Sequence, residues 1–426
     1  MSSRFLSIPY LLLRSSTAGF ALVAGLIQTF VFARVLDPER FSLFIIVGTL
    51  GVSLWLFDLG LARILFVRQR DAFLAGRTAR SVAGHSTSVL SLYAAAVLFG
   101  TTLCFLVMLM RAHPLLHAFE FAMFFMFVSL NLVWFVVRFV SMAIDEFIFF
   151  ETHEAIRRIG HIAVMLAMLA GLPLTAFLIV ANALWAAILF SGIRRLATRQ
   201  ALVWPPGGII AGFRSFFLRN RKEAMRTGAF AGAEYYSANI PYLVVPLAFG
   251  LGAPTIILDT TFKIFRGSMI IYSAGCDVMV PRQTRALAAK DQPGLIKATV
   301  MAAALCSIPA IILCSLLLFA GEQFFALLLG PAAVMPAAAT PILIVLLLCN
   351  LVQTVANSLL LHTGYFWQLA AISAGYSVAL TVMMGIVLAL RLDITGLLWG
   401  YTIVFAISIG FSLAALIRGP IRAAGR

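Results

Sequence analysis

Charge is scarce in this chain, and acid is scarcer than base. Only 11% of its residues are charged, and 16 Asp and Glu stand against 31 Lys and Arg. A soluble domain carries about a quarter charged residues. With 62% hydrophobic residues and a mean hydropathy of +1.03, the composition excludes a soluble globular protein. No polar stretch is long enough to fold as a separate soluble domain, so a soluble enzyme is excluded with it. Cysteine is sparse too. Cys104, Cys276, Cys306, Cys314 and Cys349 all lie within apolar segments at unpaired spacings, which indicates neither a disulfide framework nor a metal site. There is no nucleophile elbow, no glycine-rich phosphate loop and no metal-ligand cluster, so no catalytic residue, cofactor or metal is expected. His113, His117, His153 and His161 sit near segment ends without convincing partners.

Long apolar runs are what the sequence has in abundance. They predict an all-α, polytopic membrane protein with twelve transmembrane helices, at about 9–34, 41–66, 84–110, 118–143, 157–172, 174–193, 227–250, 256–281, 296–320, 337–361, 365–390 and 394–417. The formal charge of +15 falls mostly between these segments, in alternate loops. One side receives Arg4, Arg63, Arg68, Arg70, Arg77, Arg80, Arg157, Arg158, the run Arg194 to Arg226, Arg282, Arg285, Lys290, Lys297, Arg418, Arg422 and Arg426. The other receives Arg34, Arg40, Arg111 and Arg391. That is the positive-inside pattern rather than a nucleic-acid surface, and it predicts that both termini face the cytoplasm. The first segment runs on to about Arg34 and reads as a retained span, not a cleaved signal.

The longest connection, 194–226, is broken by Trp204, Pro205, Pro206, Gly207 and Gly208 and carries eight basic residues. It divides the spans six and six, which predicts an N-terminal lobe of residues 1–193 and a C-terminal lobe of residues 227–426. Its expected roles are to join the lobes and to lie on the anionic inner leaflet. A faint internal likeness points to related halves: Ala33, Leu36 and Leu43 fall 215 positions before Ala248, Leu251 and Leu258.

Against this apolar background, basic side chains inside spans stand out. Asp259, Lys263 and Arg266 share one face of the eighth span, at spacings of four and seven. A Lys or Arg at the bilayer centre costs about 2.5–3.5 kcal/mol, so such residues usually face a bundle interior or a watery cavity. Either Asp259 and Lys263 pair locally, or the stripe lines a substrate path; Arg266 has the weaker local explanation. In the first span, Arg14, Thr17, Ala18, Ala21, Gly25 and Gln28 form a small, polar stripe that fits a cavity wall or close helix packing. In the fourth, Asn131, Trp134, Arg138 and Ser141 repeat on one face that Asp145 continues, which fits a cavity wall or an Arg138–Asp145 pair. Asn350, Gln353 and Asn357 make an uncharged stripe in the tenth span. The candidate cationic substrate-binding residues are therefore Arg14, Arg138, Lys263 and Arg266. Asp58, Glu234, Asp259 and Asp277 are candidates for ion coupling or structural pairing, with an Asp58–Arg63 ion pair favoured. Pro241 and Pro246 loosen the seventh span behind Glu234.

The blocks Ala33-Arg34-Val35-Leu36, Pro38-Glu39-Arg40-Phe41 and Phe57-Asp58-Leu59-Gly60-Leu61 resemble the opening two-helix unit of the lipid-linked oligosaccharide flippases, in the multidrug, oligosaccharidyl-lipid and polysaccharide exporter superfamily. Ser42 stands where that family usually has Gly. Pro281 with Ala286 to Asp291, then Leu327 to Gly330, then Gly396 to Gly400 continue the resemblance. It implies two six-helix lobes around a central cavity. It also implies translocation of an undecaprenyl-diphosphate-linked oligosaccharide to the outer leaflet of a bacterial inner membrane, for lipopolysaccharide or exopolysaccharide biosynthesis. The implied partners are that anionic lipid-linked glycan, membrane lipids and other polysaccharide-assembly membrane proteins. Arginine, with its planar fork, suits a diphosphate. The alternatives are a multidrug exporter of the same superfamily, whose cation-binding cavity is expected to be acidic, and a glycan polymerase or ligase, which needs larger outer loops.

Overall fold

The computed structural model describes residues 8–58, 60–75 and 80–424, with the side chains of residues 8–12, 14, 15, 18, 226, 281 and 366 outside the described set. Arg4, Arg77 and Arg426, the Leu59 position and the side chains of Arg14, Arg226 and Pro281 therefore lie outside the described residues. Among the described residues every regular element is helical and no strand occurs.

The elements are α1 (Ile8–Val35), α2 (Pro38–Ser53), α3 (Leu61–Leu74), α4 (Arg80–Met110), α5 (Leu115–Ala143), α6 (Phe147–Ala167), α7 (Leu174–Thr198), α8 (Ile209–Phe249), α9 (Ala253–Ala288), α10 (Gln292–Leu329), α11 (Ala339–His362), α12 (Phe366–Leu390) and α13 (Ile394–Leu416). They correspond to the twelve expected passes, with α2 and α3 sharing the second. Eight of the described helices are individually long and apolar enough to cross a bilayer. α6, α8 and α9 are not among them, because charged side chains interrupt their apolar runs.

The break in the second pass has a local cause. After α2 the chain tightens into a 3-10 turn, Leu54–Asp58, and Gly60 then adopts φ +74° to start α3. A side chain there is excluded twice over, since a Cβ would lie 2.4 Å from Thr227 Oγ1 and positive φ strains any L-residue. Asp58 holds the break. Its carboxylate accepts from the backbone N–H of Gly60 (3.1 Å) and Ala62 (3.0 Å) and from Tyr93 OH (2.8 Å). Among the described residues these bonds make the close contacts of Asp58, because the first-turn amides of α3 lack intrahelical partners, while Arg63 acts on it through its charge. Elsewhere Asp291 and Asp393 cap α10 and α13 through Gly294 and Gly396 N–H, at 2.9 and 2.8 Å. Each such cap is worth about 1 kcal/mol.

Two helices begin well before the expected position. α6 begins at Phe147 rather than near Arg157, and α8 begins at Ile209, directly after the Trp204–Gly208 break, rather than near Thr227. Both extensions carry charge that a hydropathy window counts against a helix.

The chain divides into two compact units. The first comprises the segment ending at Leu13 together with Leu43–Gly232; the second comprises Arg14–Ser42 and Ala233–Arg426. The first unit packs around Trp134, Trp185, Tyr93, Phe150 and Phe216, with α5 as its central helix. The second is built around α9, which packs against α10 and α11 through a core including Tyr272, Cys276, Cys306 and Val355. In both, small residues permit close approach: Gly192 on α7 sits against Trp134 and Val137, and Gly267 on α9 against Leu22.

Candidate functional site

The polar groups of the second unit gather on α9 and its neighbours. Asp259 and Lys263, one turn apart, form an ion pair with Oδ2 and Nζ 2.6 Å apart. Lys263 Nζ also donates to Thr29 Oγ1 on α1 at 3.0 Å, and Tyr242 OH on α8 donates to Asp259 Oδ1 at 3.2 Å. Gly25, from the small stripe of the first span, leaves room for the Lys263 stem, whose Cδ lies 3.9 Å from the position of a Cβ. The stripes of α1 and α9 thus meet, and they meet at an ion pair.

Arg266, one turn further on, has no carboxylate contact among the described residues. Its guanidinium donates to the carbonyl of Ala238 on α8 and lies over the rings of Tyr242 (5.1 Å) and Phe262 (5.7 Å). Those rings belong to a larger aromatic cluster in which Phe262 and Phe265 pack against Tyr401, and Phe265 against Phe405. A guanidinium over ring faces is stabilised by the ring quadrupole, by as much as about 2 kcal/mol when desolvated. This is the partner that spacing along α9 cannot reveal.

Glu234 lies on α8 before its two prolines and is partly buried. Among the described residues its hydrogen-bond partner is Ser373 Oγ on α12, at 2.6 Å. The same two helices are stitched further by Ser237 with Ser377 (2.7 Å), Ser377 with the Ala233 carbonyl (3.0 Å) and Tyr236 with Thr381 (2.9 Å). Asn350 joins α11 to α9, donating to Phe265 O (3.0 Å) and Ser268 Oγ (2.8 Å), and it is wholly buried. That amide is helix glue. Asp277 sits about 21 Å beyond Lys263 along α9 by helical rise, outside this network.

In the first unit the stripe of α5 turns into the core: Trp134 and Ser141 are buried, Asn131 donates to Val128 O, and Arg138 is half-buried. Asp145 is engaged by Arg70 of α3 at 2.7 Å. Arg14 lies on α1, and its side chain is outside the described set.

Sequence reasoning missed a second buried network. Arg157, assigned by the charge count to an inner loop, is 3% exposed within α6. Glu154 accepts from Arg157 Nε (2.9 Å) and Nη2 (2.5 Å), Arg158 Nε (2.8 Å) and Trp134 Nε1 (2.9 Å), while Arg157 lies over Trp185 at 4.2 Å. The signal was present as Glu154, Arg157 and Arg158 at spacings of three and four. Reading both arginines as loop charges hid it.

No family model matches the chain, and no curated protein sequence does. Solved structures match over nearly the whole length. The MATE multidrug transporter DinF-BH superposes with a TM-score of 0.64 at 15% identity, covering 100% of this chain and 98% of that one. A MOP superfamily transporter from Pyrococcus furiosus, described as having a binding pocket of reverse polarity that suggests a different function, gives 0.61 at 12% identity and covers 99% of both chains. The eukaryotic MATE transporter AtDTX14 gives 0.58 at 12%, covering 98% and 99%. The chain therefore has the twelve-helix, two-lobed fold of these transporters.

Proposed function

We propose that this protein is a membrane exporter of amphipathic small molecules, of the multidrug kind that several of its structural neighbours represent. The observation that carries the reading is the commitment of charge in the second unit. Lys263 is neutralised by Asp259, and Arg266 is held by ring faces and a carbonyl, whereas Glu234 has a serine for its partner among the described residues. A carboxylate inside an apolar helical unit, without a cation beside it, suits a coupling ion or an organic cation. Pro241 and Pro246 of α8, which carries it, each remove a backbone donor and leave a segment able to bend during transport.

A second reading is translocation of an undecaprenyl-diphosphate-linked oligosaccharide. It is favoured by the sequence blocks at 33–41 and 57–61 and by the excess of base over acid at 259–266. A neighbour described as having a pocket of reverse polarity is consistent with cargo of the other sign within this fold.

Proteoliposomes loaded with a fluorescent organic cation test the first reading. Efflux driven by an imposed proton or sodium gradient, and lost in Glu234→Gln, is the expected result. Absence of efflux, with a lipid-linked glycan accumulating on the cytoplasmic leaflet when the protein is depleted from cells, would transfer the assignment to the second.

A further inference from the structure

The first half of α8 carries a surface that the transport reading does not use. Ile210, Arg214, Leu218, Arg221 and Met225 fall within about 80° of one another at 100° per residue. All five are exposed, Ile210 to 80%, Leu218 to 53% and Met225 to 67%. Trp204, just before the helix, is 69% exposed. Another face of the helix is closed: Phe216, Asn220 and Ala224 are buried, and Gly212 lies against Ser88. An exposed helical face that alternates long aliphatic with long basic side chains fits neither bulk water nor hydrocarbon. It fits the boundary, where the aliphatic groups enter the acyl region and the guanidinium groups reach phosphate.

The packing of this helix holds it at that boundary. Phe216 contacts His85, and Phe213 and Phe217 share a groove with Leu92, Tyr93 and Ala96 of α4. The apolar run of α4 begins at Val89, after a polar first turn or two, so its neighbour lies where hydrocarbon gives way to headgroups. The charge there is one-sided. Between 209 and 226 stand Arg214, Arg219, Arg221, Lys222 and Arg226 against a single acid, Glu223, which already faces Arg68 at 3.9 Å.

We propose that residues 209–225 of α8 form a docking surface for anionic phospholipid headgroups, with Arg214, Arg221 and Lys222 on phosphate and Ile210, Leu218 and Met225 in the acyl boundary. The test is backbone hydrogen exchange of the full chain in nanodiscs of phosphatidylcholine alone or with phosphatidylglycerol. Exchange in peptides from 209–225 should slow by about 30- to 150-fold in the anionic discs, a gain of the size expected from two or three surface cations. The effect should fade with salt and vanish in the R214Q/R221Q/K222Q variant, while α11–α13 exchange as in the parent and so report an intact fold. Leu218→Ser should weaken protection in both lipids. Equal exchange in the two lipids, or protection that survives the triple substitution, overturns the proposal.

Discussion

Lys263 and Asp259 lie one turn apart on α9 with 2.6 Å between Nζ and Oδ2, and each takes one further hydrogen bond, Lys263 to Thr29 and Asp259 from Tyr242. A lysine in that setting is a structural tie between α1, α8 and α9 before it is anything else. Desolvating two charges is costly, but removing one of them is costlier, because the other is left buried and alone.

Single neutralisation should therefore destabilise more than double neutralisation. Asp259→Asn and Lys263→Met are each expected to lower the thermal midpoint in detergent, by the equivalent of about 3 kcal/mol. The double variant should recover at least half of the loss. Additive losses in the double-mutant cycle would show that the two residues act independently and that the pair contributes no coupling.

The buried cluster on α6 makes a stricter case. Glu154→Gln leaves Arg157 and Arg158 facing each other without a counter-charge and keeps only one of the two oxygens that accept from them and from Trp134. The expected outcome is a loss of about 3–5 kcal/mol, seen as low membrane abundance and a reduced melting temperature. Adding Arg157→Leu, which keeps one cation for solvent, should restore part of it. Wild-type stability of Glu154→Gln would mean that the network contributes little.

These clusters also mark the limit of what the sequence made legible. The twelve passes follow from hydropathy, because a bilayer averages over a whole span and so does the eye. A charge cancelled by a partner in space escapes that average. Arg157 reads as a loop residue until Glu154 and Trp185 are seen around it, and Arg266 reads as unpartnered until Tyr242 and Phe262 supply a partner from the aromatic surround. The Asp58–Arg63 pair was plausible on spacing. Arg63 does act on Asp58 through its charge, but the close contacts come from the amides of a helix start that the left-handed turn at Gly60 creates.

Gly60 gives a prediction of a different kind, since two independent penalties meet at one residue. Gly60→Ala should lose about 1–2 kcal/mol for positive φ alone and more for the overlap with Thr227. Combining it with Thr227→Gly removes the overlap and leaves the conformational penalty, so partial rescue of the melting temperature is expected. Full rescue would show that the left-handed turn imposes no strain, and no rescue would show that Thr227 was never in the way.

Glu234 is where transport and structure separate. Its carboxylate is held by Ser373, and the α8–α12 contact is also maintained by Ser237, Tyr236, Ser377 and Thr381, so the helix pair does not depend on the acid. Glu234→Gln keeps a group of the same shape that still accepts from Ser373, and abundance and melting temperature should stay near the parent values. Ion-driven efflux should fall by tenfold or more, about 1.4 kcal/mol in the transport barrier, because the neutral amide can neither take up a proton nor balance a cation. Ser373→Ala removes the hydrogen bond while leaving the charge, and it should shift the pH at which efflux is half-maximal with a smaller change in its maximum. If Glu234→Gln transports at the parent rate across the pH range while Asp259→Asn does not, the coupling role moves to Asp259, and Lys263 becomes the group released when the ion binds.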